Sequence, residues 1–273
     1  MLTEQQLRDI EQLQKKCEQH DGIQLKLNWD MLRNRESGGL DFFHYVQGEL
    51  AAFLGLYPFG SKVEVCGMVL PGERRKGRFT HLFQQASERI RTNGYQKVLL
   101  NTPAGSYSGK ALMEQLGAEY AFSEFQMEWR KKPLEDTEGV TLRQAGDADA
   151  ELRIRLLVEG FGVDEQSANE VEFAVKRDAD MITDWMIDAG GETVGKLRVI
   201  LENEQAWIYG FVILPEWRGQ GIGRKALQQV VKNLDAAGRS VHLEVEVRNE
   251  HALGLYKSVG FEAVHSQDYY SWK

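Results

Sequence analysis

The chain repeats itself, and that constrains its fold more than any other feature. Residues 69–77, Val-Leu-Pro-Gly-Glu-Arg-Arg-Lys-Gly, align with residues 213–221, Ile-Leu-Pro-Glu-Trp-Arg-Gly-Gln-Gly. Leu70, Pro71, Arg74 and Gly77 then fall on Leu214, Pro215, Arg218 and Gly221. Ala226, Leu227, Val230, Val231 and Leu234 form a helical face after the second segment, and Leu82, Phe83, Ala86 and Ile90 repeat it after the first. Farther on, Glu119, Ser123 and Trp129 fall on Glu262, Ser266 and Trp272 in a register one residue shorter, so a single indel separates the two alignments. A chain of 273 residues accommodates two such copies, each of about 135 residues, an ordinary domain size.

The polar run at 131–138, Lys-Lys-Pro-Leu-Glu-Asp-Thr-Glu, is the expected linker, because Pro133 ends the strand before it. The expected domains are therefore 1–132 and 139–273. Each copy reads as an opening strand and helices, a meander of strands, a loop-led helix, a strand, a helix and closing strands. In the second copy the strands are expected at 140–143, near 181–188, at 192–201 and at 206–213, with helices within 147–177. Antiparallel strands beside helices make an α+β, layered fold.

With 42% apolar residues and 5 prolines the chain is globular. It has no apolar run of 18 residues and no basic-then-apolar leader, and it opens on a helix start with Thr3 and Gln6 spaced as a capping box. A cytoplasmic protein without membrane attachment is expected. Cys17 and Cys66 are expected to fill core positions, and the 6 histidines form no ligand cluster, so no metal is expected. A net charge of −8 opposes nucleic-acid binding and is permissive for a cationic amine.

Residues 212–224 read as an apolar strand, a proline stop and an Arg-x-x-Gly-x-Gly turn that opens an amphipathic helix. The free N–H groups of that helix start point into a loop where Gly219, Gly221 and Gly223 let an anion approach the backbone, flanked by Arg218 and Arg224. A nucleotide P-loop would need Gly-x-x-x-x-Gly-Lys-Ser/Thr, and none occurs. A dinucleotide fingerprint would place its glycines directly after the strand, where Pro215, Glu216 and Trp217 intervene. Next, Val241, Leu243, Val245 and Val247 alternate with His242, Glu244 and Glu246, the mark of a strand. Asn249 is a good helix N-cap, and Tyr256 lies seven residues later, nearly two turns on and on the same helix side. Taken singly, Asn249 reads as no more than a cap and Tyr256 as no more than packing.

Together the two stretches resemble the GNAT superfamily of acyl-coenzyme A-dependent N-acyltransferases. Its Arg/Gln-x-x-Gly-x-Gly/Ala loop matches Arg218 to Gly223, and its Asn-x-x-Ala-x-x-x-Tyr-x-x-x-Gly-Phe segment matches Asn249, Ala252, Tyr256, Gly260 and Phe261. The resemblance implies two tandem domains, each a twisted, mixed, mostly antiparallel sheet flanked by helices and splayed to admit acetyl-CoA. It implies that the cofactor is held by Phe211, Val212, Ile213, Arg218, Gly219, Gln220, Gly221, Ile222, Gly223, Arg224, Asn249 and Ala252. An acetyl group then goes to a primary amine of a small molecule or peptide by direct attack. A strand bulge, for which Gly210 is a suitable place, would polarise the thioester, and Tyr256 would be the general acid. Glu244 is the expected base: Leu243-Glu244-Val245 looks like a segment of bacterial ribosomal-protein N-terminal acetyltransferases, although Glu246 replaces that segment's arginine. Glu246, Glu204 and Tyr209 are rivals.

The first copy departs at the chemical positions. Phe79 replaces Gly223, Arg75 replaces Gly219, Met113 replaces Tyr256, Ser106 replaces Asn249 and Asn101 replaces Glu244. Phe79 is expected to obstruct the loop and leave a degenerate domain, although Arg74, Arg75, Lys76 and Arg78 keep it basic. The alternatives to an enzyme are an idle coenzyme A-binding regulatory module and a purely structural protein, and the intact second loop speaks against the last.

Overall fold

The computed structural model describes residues 1–35, 38–135, 137–175 and 181–273. Asp136 of the expected linker and Arg177 of the expected helical stretch lie outside the described residues. The chain divides into two compact units, Met1–Ser123 with Ser266–Lys273, and Glu124–His265.

The first unit runs α1 (Glu4–Asp21), α2 (Trp29–Arg33), β1 (Asp41–Val46), β2 (Glu49–Phe59), β3 (Lys62–Val69), α3 (Arg78–Asn93), β4 (Lys97–Pro103) and α4 (Tyr107–Gln115), then enters β5 (Glu119–Trp129). Among the described residues no strand precedes α1, so the opening strand expected of each copy is absent here. The chain begins instead on the predicted capping box, with Gln6 N–H donating to Thr3 Oγ1 at 3.2 Å and Thr3 N–H to Gln6 Oε1 at 2.9 Å. β1, β2 and β3 form an antiparallel meander, β3 pairs parallel with β4, and β4 pairs antiparallel with the end of β11 (Phe261–Trp272).

The central strand β2 is covered on both faces, so it reads as a nearly unbroken apolar run. Leu54 and Leu56 pack with Leu82, Phe83, Ala86 and Ile90 of α3, and Phe53 and Tyr57 pack with Ile10, Leu13 and Cys17 of α1. Cys17 and Cys66 are buried in the core, where they were expected, and form no disulfide with each other.

The second unit starts inside β5 and runs β6 (Val140–Gln144), α5 (Ala150–Phe161), α6 (Glu165–Val175), β7 (Ile182–Ala189), β8 (Glu192–Glu202), β9 (Gln205–Ile213), α7 (Ile222–Ala236), β10 (Ser240–Glu246) and α8 (Glu250–Val259). β6 to β9 are antiparallel, β9 and β10 are parallel, and β10 pairs antiparallel with residues 124–128 of β5. The periodic face of α7 meets Leu243 and Val245 of β10 with Tyr256 and Val259 of α8 in the main core.

The units divide inside β5 and β11, not in the polar linker where domains 1–132 and 139–273 would part. The cause is pairing. Residues 124–128 of β5 hydrogen-bond beside β10, and residues 267–272 of β11 hydrogen-bond beside β4. Each copy thus carries the closing strand segment of the other's sheet.

Candidate functional site

The site of the second unit begins where two parallel strands part. β9 and β10 are in register only from Ser240↔Gln205 to Leu243↔Ile208. Beyond that point the β9–β10 pairing stops, at Glu244 on one strand and at Tyr209, Gly210 and Phe211 on the other. β9 carries a bulge there: Arg198 pairs with Tyr209 and Lys196 with Val212, so Gly210 and Phe211 both face the single residue Leu197. Gly210 adopts φ 55°, a left-handed conformation that suits glycine, and this is where a bulge was expected. The bulge leaves this segment with one residue more than the β8 strand opposite it.

The same strand leads into the glycine loop. Gly219 and Gly221 both have φ 78°, and a Cβ at either would meet open space, so the backbone amides are accessible on that side. Gly221 is the N-cap of α7, and no side chain caps it or places an acidic group in the first turn. The free amides and the helix dipole therefore face outward as an anion nest. Arg218 hydrogen-bonds among the described residues through Nε alone, to Ile213 O at 2.8 Å, which leaves the fork of its guanidinium open. Arg224 is exposed beside it, whereas Gln220 donates to Glu216 O at 3.2 Å. Ile222 contributes its amide to the helix start while its side chain sits in the core.

Phe211, Val212 and Ile213 follow the bulge. Phe211 and Ile213 lie against Gly223, where an added Cβ would meet them at 3.6 Å each. Val212 points to the opposite layer, with Leu156 of α5. Asn249 caps α8 by accepting from Ala252 N–H at 3.1 Å, so its carbonyl oxygen is committed and Ala252 is oriented by it.

Tyr256 and Glu244 border the splay from opposite faces of β10. Tyr256 is 8% exposed, packed between Phe211 and Phe261 with ring centroids at 6.5 and 6.1 Å. Burial pushes its phenol up to about 12, so it keeps its proton through the neutral range. Glu244 projects to the other face, as do His242 and Glu246, because Leu243 and Val245 fill the core. His242 is stacked on Trp207 with centroids at 4.9 Å, and burial holds its pKa below the usual histidine range. Tyr209 follows Trp207 on this face, and Glu246 is exposed at the end of β10. Glu204 lies in the turn that opens β9, at the far end of the strand from the splay.

This face also holds an ionic layer that the sequence analysis missed. Arg198 donates to both carboxylate oxygens of Asp184 at 3.0 and 3.1 Å, and the buried Arg153 and Glu172 pair beneath α5 and α6. Lys196 is 1% exposed, and burial, with Arg198 adding to it, lowers its pKa to about 8. The legible signal was a Lys-x-Arg pair at inward positions of a strand otherwise apolar on both faces. A lysine whose folded pKa is depressed disfavours folding while its unfolded counterpart stays charged, and that cost disappears as pH rises from about 8 to about 10.4. Lys196→Met is expected to raise stability at pH 7 by about 1–3 kcal/mol, with the gain shrinking across that window. Denaturant titrations at pH 7 and pH 10 check this, and an equal gain at both would refute it.

The first unit repeats the frame without the chemical groups. β3 and β4 also part, after Val65↔Leu100, but β2 and β3 pair without a register shift, so no bulge stands at the counterpart of Gly210. Ser106 caps α4 through Gly109 N–H at 3.1 Å, as Asn249 caps α8. The loop keeps its backbone path, with Arg75 at φ 61° and Gly77 at φ 75°. Phe79 does not obstruct that loop as expected. Its ring lies against Gly67 of β3, where a Cβ would meet it at 2.8 Å, and stacks on Phe83 at 6.1 Å. Gly67 and Phe79 stand where the second unit has Phe211 and Gly223, so the aromatic ring fills the strand–helix interval from the other side. What closes the first loop is charge. Asp21 accepts from both terminal nitrogens of Arg74 at 2.9 and 2.7 Å, and Glu73 accepts from Lys76 at 2.9 Å and from Arg78 Nε at 2.6 Å.

Among the described residues no cluster of histidine, cysteine and acidic side chains could hold a metal, and no helix is long and apolar enough to cross a membrane. The model of the acetyltransferase (GNAT) family matches residues 4–118 and 152–261. A [ribosomal protein bS18]-alanine N-acetyltransferase of Escherichia coli is 33% identical over 69 residues, 24% of this chain and 47% of that enzyme. The chain thus spans less than half the length of this curated relative. A GCN5-related N-acetyltransferase from Sphaerobacter thermophilus superposes with a TM-score of 0.79 at 24% identity, over 96% of this chain and 91% of that one. A tandem GNAT protein from the clavulanic acid biosynthesis pathway superposes with a TM-score of 0.70 at 18% identity, over 97% and 94%. These two likenesses establish the fold.

Proposed function

We propose, given that this chain belongs to the GNAT family of acetyltransferases, that its second copy moves an acetyl group from acetyl-CoA to a primary amine while both are bound. The observation that carries this reading is an asymmetry. The bulge at Gly210 and the open nest at Gly219 to Gly223 occur together in the second copy, while the first has neither the bulge nor an unpaired arginine fork at Arg74.

The residues present fit a diphosphate-bearing cofactor. The amides at Gly219, Gly221 and Gly223 and the fork of Arg218 supply donors in one concave loop, and no carboxylate stands in the first turn of α7 to repel an anion. Acetyl-CoA, when bound, supplies the thioester acetyl group and a thiol leaving group. The bulged backbone of β9 holds a preorganised N–H donor for a carbonyl oxygen that gains negative charge. Tyr256 holds a proton at its phenol oxygen, on the core side of the splay. Glu244, on the opposite side, is placed to take the proton of an incoming ammonium. A lysine-type amine is mostly charged at neutral pH, and a positioned base contributes about 10²–10⁴ in rate. The polar face with Tyr209, His242 and Glu244 would receive the acceptor, a small-molecule or peptide amine.

Acetyl-CoA at about 100 times its dissociation constant is expected to stabilise the second unit by about 2.7 kcal/mol. Tyr256→Phe should retain that shift and lower turnover at least about tenfold, since the change removes a proton donor without altering bulk. Because the phenol titrates only near 12, its loss should leave the shape of the pH–rate profile below pH 9 unchanged. Thermal melts and acetyl transfer to a panel of amines test this. No thermal shift at millimolar acetyl-CoA would overturn the cofactor assignment.

A further inference from the structure

The first unit contains a cavity of ≈ 470 Å³ at the parting of β3 and β4, within the size range of small-molecule sites. It lies between α1 with the segment after it, the two strands and α4. Ile23, Leu25, Val65, Leu100 and Leu116 give it apolar walls. Phe79, packed against Gly67 of β3, forms part of its wall, and Met113 borders it where the second copy has Tyr256.

Its two ends differ in chemistry. At the loop end three of the four loop cations are paired with the protein's own carboxylates: Asp21 forms a two-pronged pair with Arg74, and Glu73 holds Lys76 and Arg78. A bidentate carboxylate–guanidinium pair uses the same donor fork that a phosphate would take, so Asp21 stands in for the ligand anion. At the strand end Asn101 lines the wall, and its Nδ2 is buried without a hydrogen-bond partner among the described residues. A buried donor without an acceptor is destabilising, and the amide's soft χ2 torsion lets it turn toward an acceptor delivered from the cavity.

We propose that this cavity is a binding site for a small, apolar, uncharged molecule that offers one carbonyl oxygen, an alkyl amide being the simplest member of the class, and that it does not take coenzyme A. The apolar walls recover the free energy of removing an alkyl chain from water, the Asn101 amide fixes the carbonyl, and the Asp21–Arg74 pair excludes the diphosphate. The first copy is then a ligand-binding domain in its own right, independent of the chemistry of the second.

Calorimetry with octanamide as the probe tests this on the full chain carrying Gly221→Glu, which closes the second loop so that only the first unit is read. One octanamide is expected per chain. Leu112→Trp, which fills the cavity from α4, should weaken binding at least tenfold. Asn101→Leu, which keeps the side-chain volume and removes the donor, should weaken it at least threefold with a melting temperature no lower than the parent's, and it serves if the tryptophan variant does not fold. Coenzyme A should give no binding heat with the Gly221→Glu chain. The proposal is overturned if octanamide does not bind up to its solubility limit, if Asn101→Leu binds it as tightly as the parent, or if coenzyme A binds the Gly221→Glu chain.

Discussion

Gly221→Glu is expected to abolish acetyl transfer, whereas the equivalent Gly77→Glu should leave cofactor affinity within about threefold, less than about 0.7 kcal/mol. Gly221 caps α7 at φ 78°, so any side chain there is strained, and a carboxylate would place negative charge at the helix N-terminus beside the fork of Arg218. A diphosphate would then meet a like charge in the nest that should hold it. Gly77 has nearly the same backbone, φ 75°, but its loop is already occupied by Asp21 on Arg74 and by Glu73 on Lys76 and Arg78. A further carboxylate there removes no cofactor site. Steady-state rates for the two variants at saturating amine distinguish them, and equal losses would mean that both loops serve the reaction.

A chain ending at His265 is expected to lose the fold of its first unit while keeping that of the second. The removed segment pairs with β4 from Gln267↔Pro103 to Trp272↔Val98. It also takes away Tyr269, 1% exposed and stacked on Phe122 at 4.6 Å, and Trp272, whose ring meets Phe83 at 5.0 Å. Burying a large apolar side chain contributes about 1.5–3 kcal/mol, so these two alone account for about 3–6 kcal/mol. That is comparable to the whole stability of a small domain, about 5–15 kcal/mol, and β4 would be left as an unpaired edge prone to association. Residues 124–265 keep every pairing of the second unit. Hydrogen exchange should therefore accelerate throughout β4 and α3 and stay slow in β9, β10 and α7. Protection retained in β4 would contradict the strand assignment.

Local chemistry was legible in the sequence, and long-range pairing was not. The capping box at Thr3, the cap at Asn249, the alternation of β10 and the glycine turn of the second loop each depend on residues a few positions apart, and each was readable. The bulge in β9 was expected from the family resemblance, with Gly210 as its suitable place. The division of the chain was not, since nothing in residues 267–272 names β4 as their partner. Asp21 and Arg74 meet across 53 positions, so the guanidinium of Arg74 read as open when Asp21 already occupies it. The Gly67/Phe79 exchange was misread for a similar reason: Phe79 was visible as a departure at the start of α3, but the glycine that makes room for it sits on β3. The ionic layer of Lys196, Arg198 and Asp184 was hidden because charged residues on a strand ordinarily face water, and only the packing of α5 and α6 buries them.

The central claim is that one copy works with the cofactor and the other does not, and calorimetric titration of the unmodified chain with acetyl-CoA tests it most directly. The account predicts a single site per chain, removed by Gly221→Glu and retained in Gly77→Glu. Two sites per chain, or one site removed by Gly77→Glu, would contradict it.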